Sequence, residues 1–164
     1  MRVLGVDPGS RVTGFGLVEK EDNTTTYIHS GIIRSSTKIE FYKRIHGIFE
    51  SMVDIIHRYR PEEMAIEDQF YAKNVQSALK LGHARAAALI AAGQCGISLF
   101  EYTPLEVKKA VVGYGRAEKV QVREMVKVIL RIREQPALDA SDALAVAICH
   151  CNWSRFEGIR RGAT

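Results

Sequence analysis

The sequence has few cysteines, no long hydrophobic run and no apolar segment at its start. Its 3 cysteines are an odd number, which fits a reducing cytoplasm better than a framework of disulfides. The longest run of small apolar residues, from Ala86 to Gly93, is too short to cross a bilayer. Pro8 and Gly9 interrupt the first residues before a signal-type apolar core can form. We therefore expect a cytoplasmic protein that makes no membrane contact.

The proportions of the chain are those of one folded domain. Its 164 residues are 46% hydrophobic and 26% charged, which excludes a disordered chain. A chain of this length can form a hydrophobic core without stabilising disulfides or metal ions. The sequence contains no internal repeat and no linker. We predict a single domain over residues 1–164, with about the last 12 residues forming a flexible tail.

Five short segments have the composition and the boundaries of β-strands. They are Val3–Asp7, Thr13–Val18, Thr24–Ile33, Met64–Ile66 and Ser98–Tyr102. The first three follow one another through short links, which favours antiparallel pairing. We predict an α/β fold with a mixed five-stranded sheet: three antiparallel strands, then helix–strand–helix–strand, with helices flanking the sheet.

Apolar residues at three- and four-residue steps predict the helices. Their ranges are 41–59, 75–93, a helix that begins at Thr103-Pro104, 117–132 and 139–151. Thr103-Pro104-Leu105-Glu106 has the form of a capping box with proline at the first helical position. The 75–93 segment is apolar nearly all round, so one side is expected to cover the sheet and the other a second subunit.

The excess positive charge is concentrated in residues 108–133. This segment has eight basic and two acidic residues, a net charge of +6, whereas the whole chain carries +4. Lys119, Arg123, Lys127 and Arg131 recur four residues apart and predict a basic stripe along one helix. The stripe is either a solvated helix face or a strip that binds phosphates, because clustered cations gain from counterion release.

Four acidic residues stand where elements of an α/β domain meet. Asp7 and Glu67 end predicted strands, and Asp139 and Asp142 project from one face at the start of a helix. Taken singly, Asp7 is typical of a turn before Pro-Gly, and Asp139 of a helix cap. Taken together, they repel one another unless a hard divalent cation, Mg²⁺ above all, lies between them. Two such ions can clamp the attacking and leaving oxygens of a phosphoryl displacement.

The triplet Cys149-His150-Cys151 does not predict a zinc site. It lies within a helical segment, where successive side chains diverge, and no other histidine or cysteine stands at a metal-ligand spacing. Buried cysteines are the better interpretation.

Several blocks of the sequence closely resemble the RuvC family of bacterial Holliday junction resolvases. The blocks cover residues 1 to 151 in the family's order and are highly specific as a set, although Asp-Pro-Gly alone is weak. They are Val6–Gly16, Ala65-Ile66-Glu67, Phe70, Ala72-Lys73-Asn74, Ser77–Gly82, Val111-Val112-Gly113, Ala117-Glu118-Lys119 and Asp139–Ala145.

The resemblance implies a ribonuclease H-like fold and a homodimer that nicks two strands of a four-way DNA junction symmetrically, in recombination and repair. It implies catalysis with two Mg²⁺ ions per active site, which Mn²⁺ can replace, and products with a 5′-phosphate and a 3′-hydroxyl. It also implies the RuvA and RuvB branch-migration proteins as partners. The family's four acidic ligands fall on Asp7, Glu67, Asp139 and Asp142.

The resemblance further implies residues that contact DNA. The family's phenylalanine beside the active site falls on Phe70, and its DNA-contacting lysines fall on Lys108 and Lys119. Phe70 lies in a polar-aromatic segment that suits stacking on an unpaired base, although a lone aromatic beside a strand is more often core. Lys73 and Arg123 are further candidates for DNA binding. Asp68 departs from the family's pattern as an extra acid beside Glu67, which leaves open an altered metal affinity.

Three other functions are compatible with parts of the sequence. A phosphate-binding loop of the sugar-kinase and actin type also begins with a strand, an aspartate and a hairpin containing glycine, but such folds need two lobes around the nucleotide. A ribonuclease H-like nuclease that acts on structured RNA is a closer alternative. A junction-binding module without activity is disfavoured, because nothing structural requires all four acids.

Overall fold

The computed structural model describes residues 1–68 and 74–161, and for residues 154–161 the backbone alone. Ten elements follow one another along these residues. They are β1 (Arg2–Asp7), β2 (Val12–Glu21), β3 (Thr24–Arg34), α1 (Phe41–Tyr59), β4 (Glu63–Glu67), α2 (Val75–Cys95), β5 (Ser98–Tyr102), α3 (Pro104–Val112), α4 (Lys119–Leu130) and α5 (Leu138–Arg161).

The five strands form one mixed sheet in the order β3-β2-β1-β4-β5. β1 pairs antiparallel with β2, and β2 antiparallel with β3, which confirms the predicted run of antiparallel strands. β4 and β5 join on the other side of β1, and both run parallel to it. β1 is therefore the central strand, and its carboxyl end meets the carboxyl ends of β4 and β5 at one edge.

Helices cover both faces of the sheet. Successive side chains of a strand point to opposite faces, so the apolar strands present buried residues on each side. On one face, Leu4 and Met64 belong to a core that includes Met52 of α1 and Ala88 of α2. On the other face, a second core combines strand residues with α3, α4 and α5. The burial of both faces explains why the short strands β1 and β4 are almost continuously apolar.

Local signals account for the boundaries of α3. The side chain of Thr103 accepts a hydrogen bond from the Glu106 amide, and the Glu106 carboxylate accepts one from the Thr103 amide, which confirms the predicted capping box. Gly113 ends the helix with a left-handed φ of 94°. This conformation favours glycine, because a side chain would be strained there.

The last two helices differ in length from their predictions. α4 ends at Leu130, because Arg131 adopts a left-handed φ of 53° and its amide donates to the carbonyls of Lys127 and Val128. Arg131 therefore lies outside the helix that was expected to carry it in a basic stripe. α5 continues to Arg161, well beyond the predicted end at Cys151.

The middle of α5 is buried and carries the Cys149-His150-Cys151 triplet. Both cysteines are buried, as predicted, and burial raises the pKa of Cys149 to about 12 and of Cys151 to about 11. His150 lies 2.7 Å from the hydroxyl of Tyr102 and 2.5 Å from a carboxylate oxygen of Glu63. It therefore joins α5 to both β5 and β4. Across the described residues, no helix has both the length and the apolar character needed to span a membrane.

Candidate active site at the carboxyl end of the central strands

Two neighbouring strands bring two carboxylates to one edge of the sheet. β1 and β4 run parallel with Val6 beside Ile66, so Asp7 and Glu67 follow as the last residues of their strands. Both lie on the face that α5 covers, because alternate residues of β1 and β4 belong to the core on that side. The predicted meeting of Asp7 and Glu67 at a strand edge is therefore found in the structure.

The start of α5 lies directly on the sheet, because glycines stand beneath it. Gly14 pairs with Asp7, and a side chain at Gly14 would collide with the carbonyl oxygen of Asp139. A side chain at Gly5 would likewise collide with the carbonyl oxygen of Ala143. The helix backbone therefore rests on the backbone of β1 and β2, and its acidic first turns lie beside the strand ends.

Asp7 lies in the combined field of the other three acids. Its pKa is raised from the ordinary 3.8 to about 8, first by burial and then by the charges of Asp142, Glu67 and Asp139. Lys119 acts in the opposite direction. The four acids chosen from the sequence are thus close enough to interact, and their negative charge is only partly compensated.

Lys119 brings a positive charge to this group. Its Nζ lies 3.1 Å from Oδ2 of Asp142, and the Lys119 side chain is 71% exposed. Partial desolvation disfavours the charged form of Lys119, but the hydrogen bond to Asp142 and the charges of Asp142, Asp7 and Glu67 together outweigh it, so the pKa of Lys119 is raised above its usual value. The ammonium group therefore balances part of the acidic cluster.

A cleft of about 410 Å³ opens beside the acids. It combines acidic, basic and apolar side chains. Its lining residues include Glu67, Thr103, Val107, Lys108, Lys119, Val122 and Asp142. Since Lys108 and Lys119 border the same space as two of the acids, the cleft can hold an anionic ligand next to the carboxylates.

The donor chemistry of the site fits a hard divalent cation, which prefers carboxylate oxygens. Nevertheless, among the described residues no three histidine, cysteine, aspartate or glutamate side chains are grouped tightly enough to hold a metal ion. The residues fit such an ion by the type of donor that they offer.

The other predicted DNA contacts differ in their surroundings. Arg123 does not line the cleft; its Nη2 donates to the carbonyl of Pro136 at 2.7 Å and joins α4 to the segment before α5. Of the predicted stripe, Lys119, Arg123 and Lys127 lie four residues apart on α4, whereas Arg131 lies beyond the end of the helix. Phe70 and Lys73 lie outside the described residues.

Arg85 of α2 contacts the site, and the sequence patterns assign it no role. Its Nη1 donates to the carbonyl of Glu67 at 2.8 Å, and its Nη2 lies 2.8 Å from Oε2 of Glu101 and 3.5 Å from Oδ1 of Asp68. The available signal is an arginine within the alanine-rich part of the helical segment, because an arginine that becomes buried there requires a partner. Asp68 borders the cleft, yet its carboxylate faces Arg85.

Comparison with known proteins identifies related sequences over nearly the whole chain. A family model described as "Crossover junction endodeoxyribonuclease RuvC" matches residues 3–150. A protein of that description from Geobacter metallireducens is 51% identical over 161 residues, which is 98% of both sequences.

Solved structures share the fold of this chain. A structure described as "T. thermophilus RuvC in complex with Holliday junction substrate" has a TM-score of 0.91 and 34% identity, covering 96% of each chain. The yeast mitochondrial Holliday junction resolvase Ydc2 has a TM-score of 0.67 at 13% identity, covering 97% of this chain and 83% of its own. The yeast protein is evidence for the fold alone.

Proposed function

The chain belongs to the RuvC family of crossover junction endodeoxyribonucleases, and from this premise we propose that Asp7, Glu67, Asp139 and Asp142 form its hydrolytic centre. The protein is a structure-specific DNA endonuclease that resolves Holliday junctions. Membership decides against the nucleotide-dependent and RNA-directed alternatives. The observation that carries the proposed centre is the placement of the acids: Asp7 and Glu67 end neighbouring strands beside the first turns of α5, and Asp142 borders the same cleft as Glu67.

The family is metal-dependent, and we assign the four acids as ligands of two Mg²⁺ ions, which Mn²⁺ can replace. Bound there, the ions would supply a nucleophilic hydroxide and stabilise the departing 3′ oxygen. The carboxylates themselves must be deprotonated to bind a cation, so Asp7 gives up its proton when the site is loaded. Hydrolysis joins a water oxygen to phosphorus, breaks the bond to the 3′ oxygen and leaves a 5′-phosphate and a 3′-hydroxyl.

Lys108 and Lys119 are proposed to hold the backbone of the cleaved strand. Both border the cleft beside Glu67 and Asp142, where a phosphate can approach the carboxylates. Lys119 is paired with Asp142 in the structure, and we propose that a DNA phosphate takes the place of that carboxylate as its partner when a junction binds. Phe70 is proposed to stack on an unpaired base at the branch point, with Lys73 and Arg123 as further phosphate contacts.

We propose that α2 is the interface of a homodimer. Val75, Leu79 and Ile90 are 76%, 58% and 60% exposed on this helix. Gly82 and Gly93 are also exposed, and a side chain at either would meet nothing within 4 Å, so packing within one chain does not require glycine there. A second copy of α2 would gain from both features, because glycine permits close approach and the apolar residues would be buried.

Such a dimer has two active sites and therefore acts on the two symmetry-related strands of a junction. By family resemblance, RuvA and RuvB are proposed as partners that move the branch point. We also propose that the protein acts in the cytoplasm, where the DNA of a bacterium lies.

Replacing Glu67 with glutamine tests the assigned centre. Glu67→Gln keeps the size of the side chain and removes its negative charge, so cleavage of a synthetic four-way junction in Mg²⁺ should fall by orders of magnitude. Binding of the same junction without metal should survive, because lysine and arginine residues hold the DNA.

Two results would contradict the assignment of Glu67. Cleavage at the wild-type rate would exclude it as a ligand. Loss of both binding and normal thermal melting would make its role structural.

A further inference from the structure

Arg85 reaches the end of β4 from the face of the sheet opposite the acidic cluster. Its side chain is 16% exposed, and its guanidinium group contacts three acceptors: one in β4, one directly after β4 and one in β5. They are the carbonyl of Glu67, the carboxylate of Asp68 and the carboxylate of Glu101. One side chain of α2 thus joins β4 to β5 beneath Glu67.

This contact lies where the pairing of the sheet ends. Within the described strands, the register between β1 and β4 ends at Val6 and Ile66, one residue before Glu67. On the other side, Glu67 pairs with Tyr102, whose carbonyl accepts from the Asp68 amide at 2.7 Å. The carbonyl of Glu67 therefore lies at the end of the β1–β4 register, where it accepts from Nη1 of Arg85.

The chemistry of arginine suits this position. A planar guanidinium group donates along fixed directions to several acceptors at once, whereas an ammonium group is a point charge. A mostly buried cation also needs compensating anions, which Asp68 and Glu101 provide. Asp68 faces this cation, so the acid that departs from the family's pattern is used for pairing with Arg85.

We propose that Arg85 is a positioning residue for Glu67, an inference that rests on the proposed metal-binding role of Glu67. The hydrogen bond to the Glu67 carbonyl fixes the peptide plane from which the Glu67 side chain projects towards α5. Asp68 and Glu101 hold the guanidinium group in place. Asp68 therefore affects metal binding through Arg85 and is not itself a ligand.

Arg85→Lys tests this role, because lysine keeps the positive charge but lacks the planar guanidinium group that donates to several acceptors at once. Outer partners of metal ligands typically contribute about 10–100-fold in affinity, so we expect the Kd for Mg²⁺ to rise at least about 10-fold. Calorimetric titration of the DNA-free protein with Mg²⁺ alone measures this. In junction cleavage, the half-saturating Mg²⁺ concentration should rise while the maximal rate is largely retained.

Matched variants separate positioning from general stability. Arg58→Lys changes an exposed arginine of α1 that packs over Tyr59, and it should leave Mg²⁺ binding unchanged. Asp68→Asn should raise the Kd for Mg²⁺ less than Arg85→Lys does. If Arg85→Lys does not fold, Glu101→Gln at the exposed end of the cluster takes its place and should give a smaller rise.

Glu67→Gln is measured in the same titration, and it distinguishes a failure of the metal-binding role of Glu67 from a failure of the positioning role of Arg85. If Glu67→Gln loses Mg²⁺ binding while Arg85→Lys or its replacement Glu101→Gln leaves it unchanged, the positioning role is wrong and the assigned centre stands. If Asp68→Asn loses as much affinity as Glu67→Gln, Asp68 is itself a ligand and the positioning role is overturned. If Glu67→Gln binds Mg²⁺ normally, the assigned centre itself fails.

Discussion

Among single residues, Asp7 makes the stability of the metal-free protein depend on pH. Burial and the neighbouring acids raise its pKa from 3.8 to about 8 in the folded chain. Between pH values of about 4 and 8, the folded chain therefore holds a proton that the unfolded chain has released. The free energy of unfolding should fall as the pH rises through this interval, and thermal melting in a chelating buffer at several pH values measures it.

Asp7→Asn is the control for this titration, because the asparagine amide has the same shape as the carboxyl group and does not titrate in this pH range. We expect melting of the variant to depend less on pH than melting of the wild type. Identical pH dependence in the two proteins would show that Asp7 does not titrate in this range.

Replacing Lys119 should weaken DNA binding without affecting the fold. Lys119→Ala removes one phosphate contact, so junction affinity should fall and the slope of log affinity against log salt should decrease by about one. Fluorescence anisotropy without Mg²⁺ measures both quantities. Lys38→Ala, at an exposed position outside the basic segment, should change neither. An unchanged slope for Lys119→Ala would remove this residue from the interface.

At the scale of elements, α2 is expected to determine the oligomeric state. Leu79→Glu places a charge in the middle of the exposed apolar face, where a second copy of the helix would have to bury it. We predict a monomer at micromolar concentration by analytical ultracentrifugation, with strongly reduced junction cleavage.

Val128→Glu is the matched control, because Val128 of α4 is 70% exposed and lies outside the proposed interface. It should leave the protein dimeric. A wild-type protein that is monomeric at micromolar concentration would refute the interface before any variant is made.

The boundaries of an element can be predicted where local residues determine them. Thr103 and Glu106 fix the start of α3, and Gly113 fixes its end, so the sequence predicts both. The end of α4 was missed, because Arg131 adopts a left-handed conformation that arginine does not signal, while the apolar spacing continues to Ile132.

At the scale of the whole molecule, the sequence predicts the strand types and the edge where the acids meet, because the ends of neighbouring strands meet at one edge of a sheet. It does not predict contacts that depend on how helices lie on the sheet. Arg85 reaches the Glu67 carbonyl across 18 residues, and His150 reaches Glu63 across 87. These pairs require the packed structure, since neither partner has a local pattern that identifies the other.

The exposure of α5 differs between its first residue and the turn that carries Asp142. Leu138 at the start of the helix is 46% exposed, whereas Ser141 and Ala143, on either side of Asp142, are buried. Helix ends open locally at little cost in free energy, while a buried helix interior opens only with the whole fold. We therefore expect the amide hydrogens around Asp142 to exchange more slowly than those at Leu138, so that Asp142 keeps its position when the first residues of the helix open.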